Sequence, residues 1–133
     1  TRAMVTYPEM VAGKGRFDTC LMKAAGGKVI SKSGAEGYLL LGVMPGLLDP
    51  RNPGIGIAIK ISDGDAMDRA RSITALEILC ELCILSEAEL QELENFGARP
   101  VKNWRGVEVG QLRSTLALEF PGFPQGIPDE IKW

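Results

Sequence analysis

The chain has no histidine and only three cysteines in 133 residues. An odd cysteine count makes no disulfide framework and fits a reducing, cytoplasmic setting. Cys80 and Cys83 form a C-x-x-C, but a zinc site needs a second such pair or histidines to complete four ligands. The pair also falls at i and i+3 of the run 78–84, where both thiols read as small core hydrophobes. A basic stripe is missing too: the net charge is −2 and no lysine–arginine cluster exists, which argues against a nucleic-acid partner. No apolar run approaches the length of a membrane span, and the first residues do not read as a secretory signal. One domain's worth of soluble, globular chain remains. Its first residue is Thr1 rather than Met, which reads as a processed or excised product.

Thr1 opens a lead-in to Gly13. An N-terminal threonine can be a hydrolase nucleophile with its own amine as base, but Arg2-Ala3-Met4-Val5 is not the β-branched run such a site expects. Gly13-Lys14-Gly15-Arg16 is a glycine-spaced basic loop without the P-loop pattern. Phe17 to Ala25 predicts a helix, with Asp18 or Thr19 as its cap and Gly26-Gly27 as its stop. Arg16, just ahead of that helix, is placed to assist an anion. The runs 27–30 and 38–43 predict a hairpin. Pro45 to Gly54 reads as a loop, and residues 55–62 as the clearest strand. Isoleucines line one face of that strand. Gly56, Ala58, Lys60 and Ser62 line the other, where the small side chains suggest a close helix.

A helix is expected from Ala66 to Ile84, with Asp68, Ser72, Glu77 and Glu81 on its polar side. Ser86 and Glu89 form a capping box for another helix, ending near Phe96 before Gly97. Residues 107–112 alternate as an exposed strand. Together these elements predict an α/β (α+β) fold: a small antiparallel sheet packed with helices, over residues 1–119. Residues 120–133 are a Pro/Gly-rich tail, expected to hug the surface or move. So small a sheet suggests part of something larger, or half of an oligomer.

The stretch Lys32-Ser33-Gly34-Ala35-Glu36-Gly37 carries the chemistry. An ammonium there can hold an anion or trade a proton, a hydroxyl can donate to a substrate oxygen, and Gly34 lets substrate approach the backbone. Serine acyl-hydrolases of the β-lactamase type use a Lys-Ser/Thr-Gly triplet in this way. A solvated hairpin tip is the plain alternative.

Four segments resemble, in order, signatures of the asparaginase II family of the Rhizobium etli type. Met10-Val11-Ala12-Gly13-Lys14-Gly15-Arg16-Phe17-Asp18-Thr19 with Leu21-Met22 is similar to M-V-A-G-x-G-R-F-D-T-x-L-M, and 32–37 to K-x-G-A-E-G. Residues 54–64 are similar to G-x-G-I-A-V-K-x-x-D-G, and Asn103-Trp104-Arg105-Gly106 with Val109-Gly110 to N-W-R-G-x-x-V-G. The resemblance spans about 4–113. It implies the C-terminal portion of a serine-β-lactamase-like fold and hydrolysis of L-asparagine to aspartate and ammonia through an acyl-enzyme. Lys32 would be the active-site lysine. Ser33, Gly34, Glu36, Arg16 and Asp18 would lie at the substrate.

The departures from the family pattern are as informative. The nucleophile is expected in an S-x-x-K motif, and none of the chain's serines has Lys three places on. The metal-binding C-S-G-K-H and D-G-C-G-x-P segments are absent, so no metal or other cofactor is expected here, although zinc can belong to a missing half. The chain therefore reads as the C-terminal half of the enzyme, inactive alone. Its partners would be a small-molecule amide and either the missing N-terminal half or a second copy, with no nucleic acid or membrane. Base chemistry by Lys32 would need burial and a second cation from that half. The alternative is a standalone, non-catalytic module that binds a small molecule or self-associates.

Overall fold

A computed structural model describes residues 2–51 and 53–118; Thr1 and the 120–133 tail lie outside the described residues. Two short helices, α1 (Arg2–Thr6) and α2 (Glu9–Ala12), precede α3 (Phe17–Ala24). Then come β1 (Val29–Ser33), β2 (Tyr38–Val43), β3 (Ile55–Lys60), α4 (Arg71–Glu81) and α5 (Glu87–Glu92). A 3-10 turn (Glu94–Phe96) leads to β4 (Arg99–Lys102) and β5 (Glu108–Leu112). The sheet β1-β2-β3 is an antiparallel meander, and β4-β5 is a separate hairpin. This is the α+β arrangement of small antiparallel sheet and helices that the periodicities predict.

Strand alternation decides which face is covered. Val29 of β1, Leu39, Leu41 and Val43 of β2, and Ile59 of β3 point inward. Phe17 and Leu21 of α3 and Ala75, Leu76 and Leu79 of α4 belong to the same core. The other face carries Lys32, Tyr38, Leu40, Gly56, Ala58 and Lys60, all exposed. Among the described residues, no helix lies against the small side of β3 as expected: a Cβ on Gly56 would meet nothing within 4 Å. Both helices that pack on the sheet lie on the isoleucine side.

Turn chemistry fixes the register. Gly37 sits at φ 69°, and a Cβ there would come within 3.0 Å of Ile61 Cβ and the Gly64 carbonyl carbon. Only glycine lets the β1–β2 turn press on the loop after β3. The Ser86 capping box forms as expected, with Ser86 Oγ accepting from Glu89 N–H and Glu89 accepting from Ser86 N–H at 2.7 Å. Glu89 also receives Lys28 Nζ at 2.5 Å, which ties α5 to the approach to β1.

Several local expectations are corrected. Arg16, not Asp18 or Thr19, is the N-cap position of α3, and it makes no side-chain cap. The side chains of Asp18 and Thr19 reach tertiary partners instead. Helix α4 begins at Arg71 rather than Ala66 because Asp65 organises the intervening loop. Its Oδ1 accepts from Arg69 N–H at 2.7 Å and Ala70 N–H at 3.0 Å, and its Oδ2 from Arg71 N–H at 3.1 Å. Ser72, expected on the polar side of this helix, is buried. Cys80 is buried, but Cys83 is exposed, since the helix has ended and Cys83 turns at φ 53°. Burial, then the nearby Glu77, Cys83 and Glu81, push the Cys80 thiol up to about 11.

Burial works against the Asp65 charge, but the N–H groups of Ala70, Arg71 and Arg69 and the Arg71 guanidinium outweigh it and hold the carboxyl below its ordinary value. A lowered native value means that the stabilisation is complete above the unfolded value of about 3.9 and is lost as pH falls below it. Asp65→Asn is expected to cost about 1–3 kcal/mol at pH 7 and to flatten the acid limb of stability, read by urea unfolding from neutral pH downward. Under native conditions a thiol reagent is expected to modify Cys83 while Cys80 stays protected, as read by peptide mass.

Candidate functional site

The first β strand is the outer strand of its sheet, and its backbone bonds set which groups face out. Gly34 N–H donates to Tyr38 O at 2.8 Å and Met44 N–H to Lys28 O at 2.9 Å, so even-numbered residues of this strand pair with β2. By antiparallel alternation the N–H and C=O of Ser31 and Ser33 point to the free edge. Two side chains converge there on one residue. Asp18 Oδ2 accepts from Ser33 N–H at 3.0 Å, and Lys32 Nζ donates to Ser33 O.

Asp18 is 2% exposed, and both of its oxygens are used. Its Oδ1 accepts from Ser31 Oγ, which is also buried. A carboxylate at this depth persists only when bonded, and these donors serve that need. Thr19, next to it on α3, donates from Oγ1 to Gly13 O at 2.7 Å and lies 3.2 Å from Pro8 O. Phe17 meets the ring of Phe96 edge-on, with centroids 5.3 Å apart. The Phe-Asp-Thr triplet thus has three jobs: one packs against the 3-10 turn, one braces the edge of β1, and one holds both ends of α2.

Lys32 lies on the open face, exposed, opposite Leu40 of β2, which is itself exposed. Ser33 leaves the strand on the other side, half-buried, opposite Leu39. The two are neighbours in sequence, yet their side chains depart to opposite faces; what they share is the edge between those faces. The turn beyond is held at several points. Arg71 Nη1 donates to Gly34 O at 3.2 Å, Ile61 N–H to Gly37 O at 3.0 Å, and Lys60 Nζ to Glu36 O. Glu36 is exposed and left-handed at φ 56°. Arg16 is exposed at the start of α3, and no hydrogen bond or ion pair joins it to Lys32 among the described residues.

Lys32, Ser33, Gly34, Glu36 and Asp18 are therefore gathered around one strand end, while Arg16 stands at the adjoining helix start. Sequence reasoning missed Ser31, Asp65 and Arg71. An acidic residue shortly before a helix was the available signal for Asp65. Nothing in the sequence marked Arg71, whose guanidinium also bonds Asp68 Oδ1 at 2.6 Å. Among the described residues, no three His, Cys, Asp or Glu side chains group as a metal site, and no helix is long and apolar enough to cross a membrane.

Removing the Asp18 carboxylate strands a buried hydroxyl and an edge amide. Asp18→Ala is expected to cost about 2–4 kcal/mol and to speed amide exchange at Ser33 ahead of global unfolding, measured by hydrogen exchange.

Three of the four segments that resemble family signatures meet at this strand end, and a comparison with family models agrees with the resemblance. The model described as L-asparaginase II matches residues 1–114. No curated protein matches the chain. With the match running from the first helices through β5, the chain belongs to the L-asparaginase II family.

Proposed function

We propose that the chain is the C-terminal part of an L-asparaginase, an amidohydrolase that releases ammonia from L-asparagine, and that it is inactive alone. The observation that carries this reading is the convergence of Lys32 and Asp18 on the Ser33 backbone at the outer edge of β1, within a family match over residues 1–114. A strand edge with an ammonium beside it suits a small zwitterionic amide. Lys32 can hold its carboxylate or pass a proton. Gly34, for lack of a Cβ, accommodates the Tyr38 side chain, which would lie 3.3 Å from one there. Ser33, Glu36 and Arg16 border the same strand end as substrate-side residues, whereas Asp18 acts from beneath through Ser33.

The chemistry still needs a nucleophile, and the sequence has no S-x-x-K. A neighbouring half of a serine-β-lactamase-like fold would supply it, and would cover the open face of the sheet. That cover is what would desolvate Lys32 for proton transfer. Zinc, if used, would be held in that half. The compartment this reading fits is the cytoplasm.

The exposed Tyr38 and Leu40 also favour a second reading, in which the same face pairs with another copy of the chain in a non-catalytic module. Ammonia release discriminates the two. The isolated chain is expected to be silent, and activity is expected on adding an upstream polypeptide that carries S-x-x-K. In the complemented enzyme, Lys32→Met is expected to lower kcat by about 100-fold or more. Robust release by the chain alone refutes the half-enzyme reading. Silence after complementation, together with a sedimenting dimer, favours the module.

A further inference from the structure

Residues held in the left-handed region without being glycine are concentrated here: Glu36 at φ 56°, Asp65 at 46° and Asp68 at 53°. Such backbone persists only where surrounding contacts over-determine it, and it clusters at sites that need a fixed geometry. All three belong to two facing loops, the 34–37 turn and the 62–70 loop, which press together at Gly37 and Gly64.

Arg71 joins these loops. Its side chain is 12% exposed, and two nitrogens of its planar fork are engaged. Nε donates to Asp68 Oδ1 at 2.6 Å and lies 3.9 Å from Asp65 Oδ2, while Nη1 donates to Gly34 O at 3.2 Å. Asp18 also contributes to the field at the guanidinium. The backbone of Ser33-Gly34 is therefore held at two consecutive residues by two different elements: Asp18 of α3 takes the Ser33 N–H, and Arg71 of α4 gives to the Gly34 carbonyl. Asp68 and Asp65 orient that arginine in turn. Lysine cannot substitute fully, because an ammonium has no rigid fork to serve Gly34 O and Asp68 at once.

We propose that Arg71 is a positioning residue for the Lys32-Ser33-Gly34 edge, acting through the Gly34 carbonyl and oriented by Asp68 and Asp65. The proposal rests on the asparaginase reading for its functional consequence, but not for its structural one. Arg71 touches no substrate in this scheme; it sets where the edge stands relative to the Lys32 ammonium. Loss of that hold reduces turnover more than binding, because near-attack geometry is what it disturbs.

The test compares Arg71→Met and Arg71→Lys with the unaltered protein. Amide exchange at Ser33 and Gly34 is measured in the chain itself. The kcat and KM for L-asparagine are measured in the full polypeptide or the complemented enzyme. Arg71→Met is expected to speed exchange at Ser33 and Gly34 by about tenfold or more, and to lower kcat by about 10- to 100-fold with KM within about threefold, with Arg71→Lys between the two. A folded Arg71→Met with unaltered exchange at both amides overturns the proposal, as does unaltered kcat in an active enzyme. Should Arg71→Met fail to fold, Arg71→Lys decides: unaltered exchange and kcat overturn it. If the unaltered enzyme releases no ammonia, the asparaginase reading fails, while exchange at Ser33 and Gly34 still decides whether Arg71 positions the edge.

Discussion

The carboxylate of Asp18 cannot be hydrated where it stands, so the structure around it must supply its hydrogen bonds. Ser31 Oγ and Ser33 N–H do so, and both belong to the outer edge of β1. An edge strand normally leaves such groups to water or to another chain. Here α3 takes them up, which docks the helix on the strand and sets the height of the following turn. The order of the other elements builds on that contact. Phe17, one residue earlier, points to the core and Phe96, and Thr19, one residue later, reaches the carbonyls at both ends of α2.

From that contact the site follows by alternation. Lys32 and Ser33 go to opposite faces, and the edge is the place where both can act. A second arginine–carboxylate layer, Arg71 with Asp68 and Asp65, closes on the Gly34 carbonyl from α4. Two helices far apart in sequence thus hold adjacent residues of one strand end. Charged groups this deep add little net stability compared with apolar packing, but they fix geometry, because a displaced partner leaves a buried charge unpaired.

Among the described residues, the sheet β1-β2-β3 stays uncovered on one face. Its inner face is filled by leucine, valine and isoleucine against α3 and α4. Its outer face exposes Tyr38 and Leu40 between Lys32 and Lys60. A sheet covered on one side only is compatible with water when its outer residues are polar. Here small and apolar side chains share that face with the lysines, and a covering partner would change the surroundings of Lys32 more than those of any other site residue.

By itself the sequence determined the local pieces: α3 and its glycine stop, strands near residues 27–30, 38–43 and 55–62, the Ser86 capping box and the family, although the first strand runs on through Lys32 and Ser33, which the pattern put in the turn. These depend on neighbours a few residues apart, through periodicity, capping and turn chemistry. It misplaced the start of α4, the covered side of β3, the burial of Ser72 and Cys83, and the cap of α3, which it gave to Asp18 or Thr19. Each of those depends on which distant group arrives at the same point. Only the tertiary structure could decide that an acid at the start of one helix braces a strand thirteen residues on, or that Arg71 reaches back to Gly34. Local pattern gives the direction of a side chain, but its partner is set by how the elements pack.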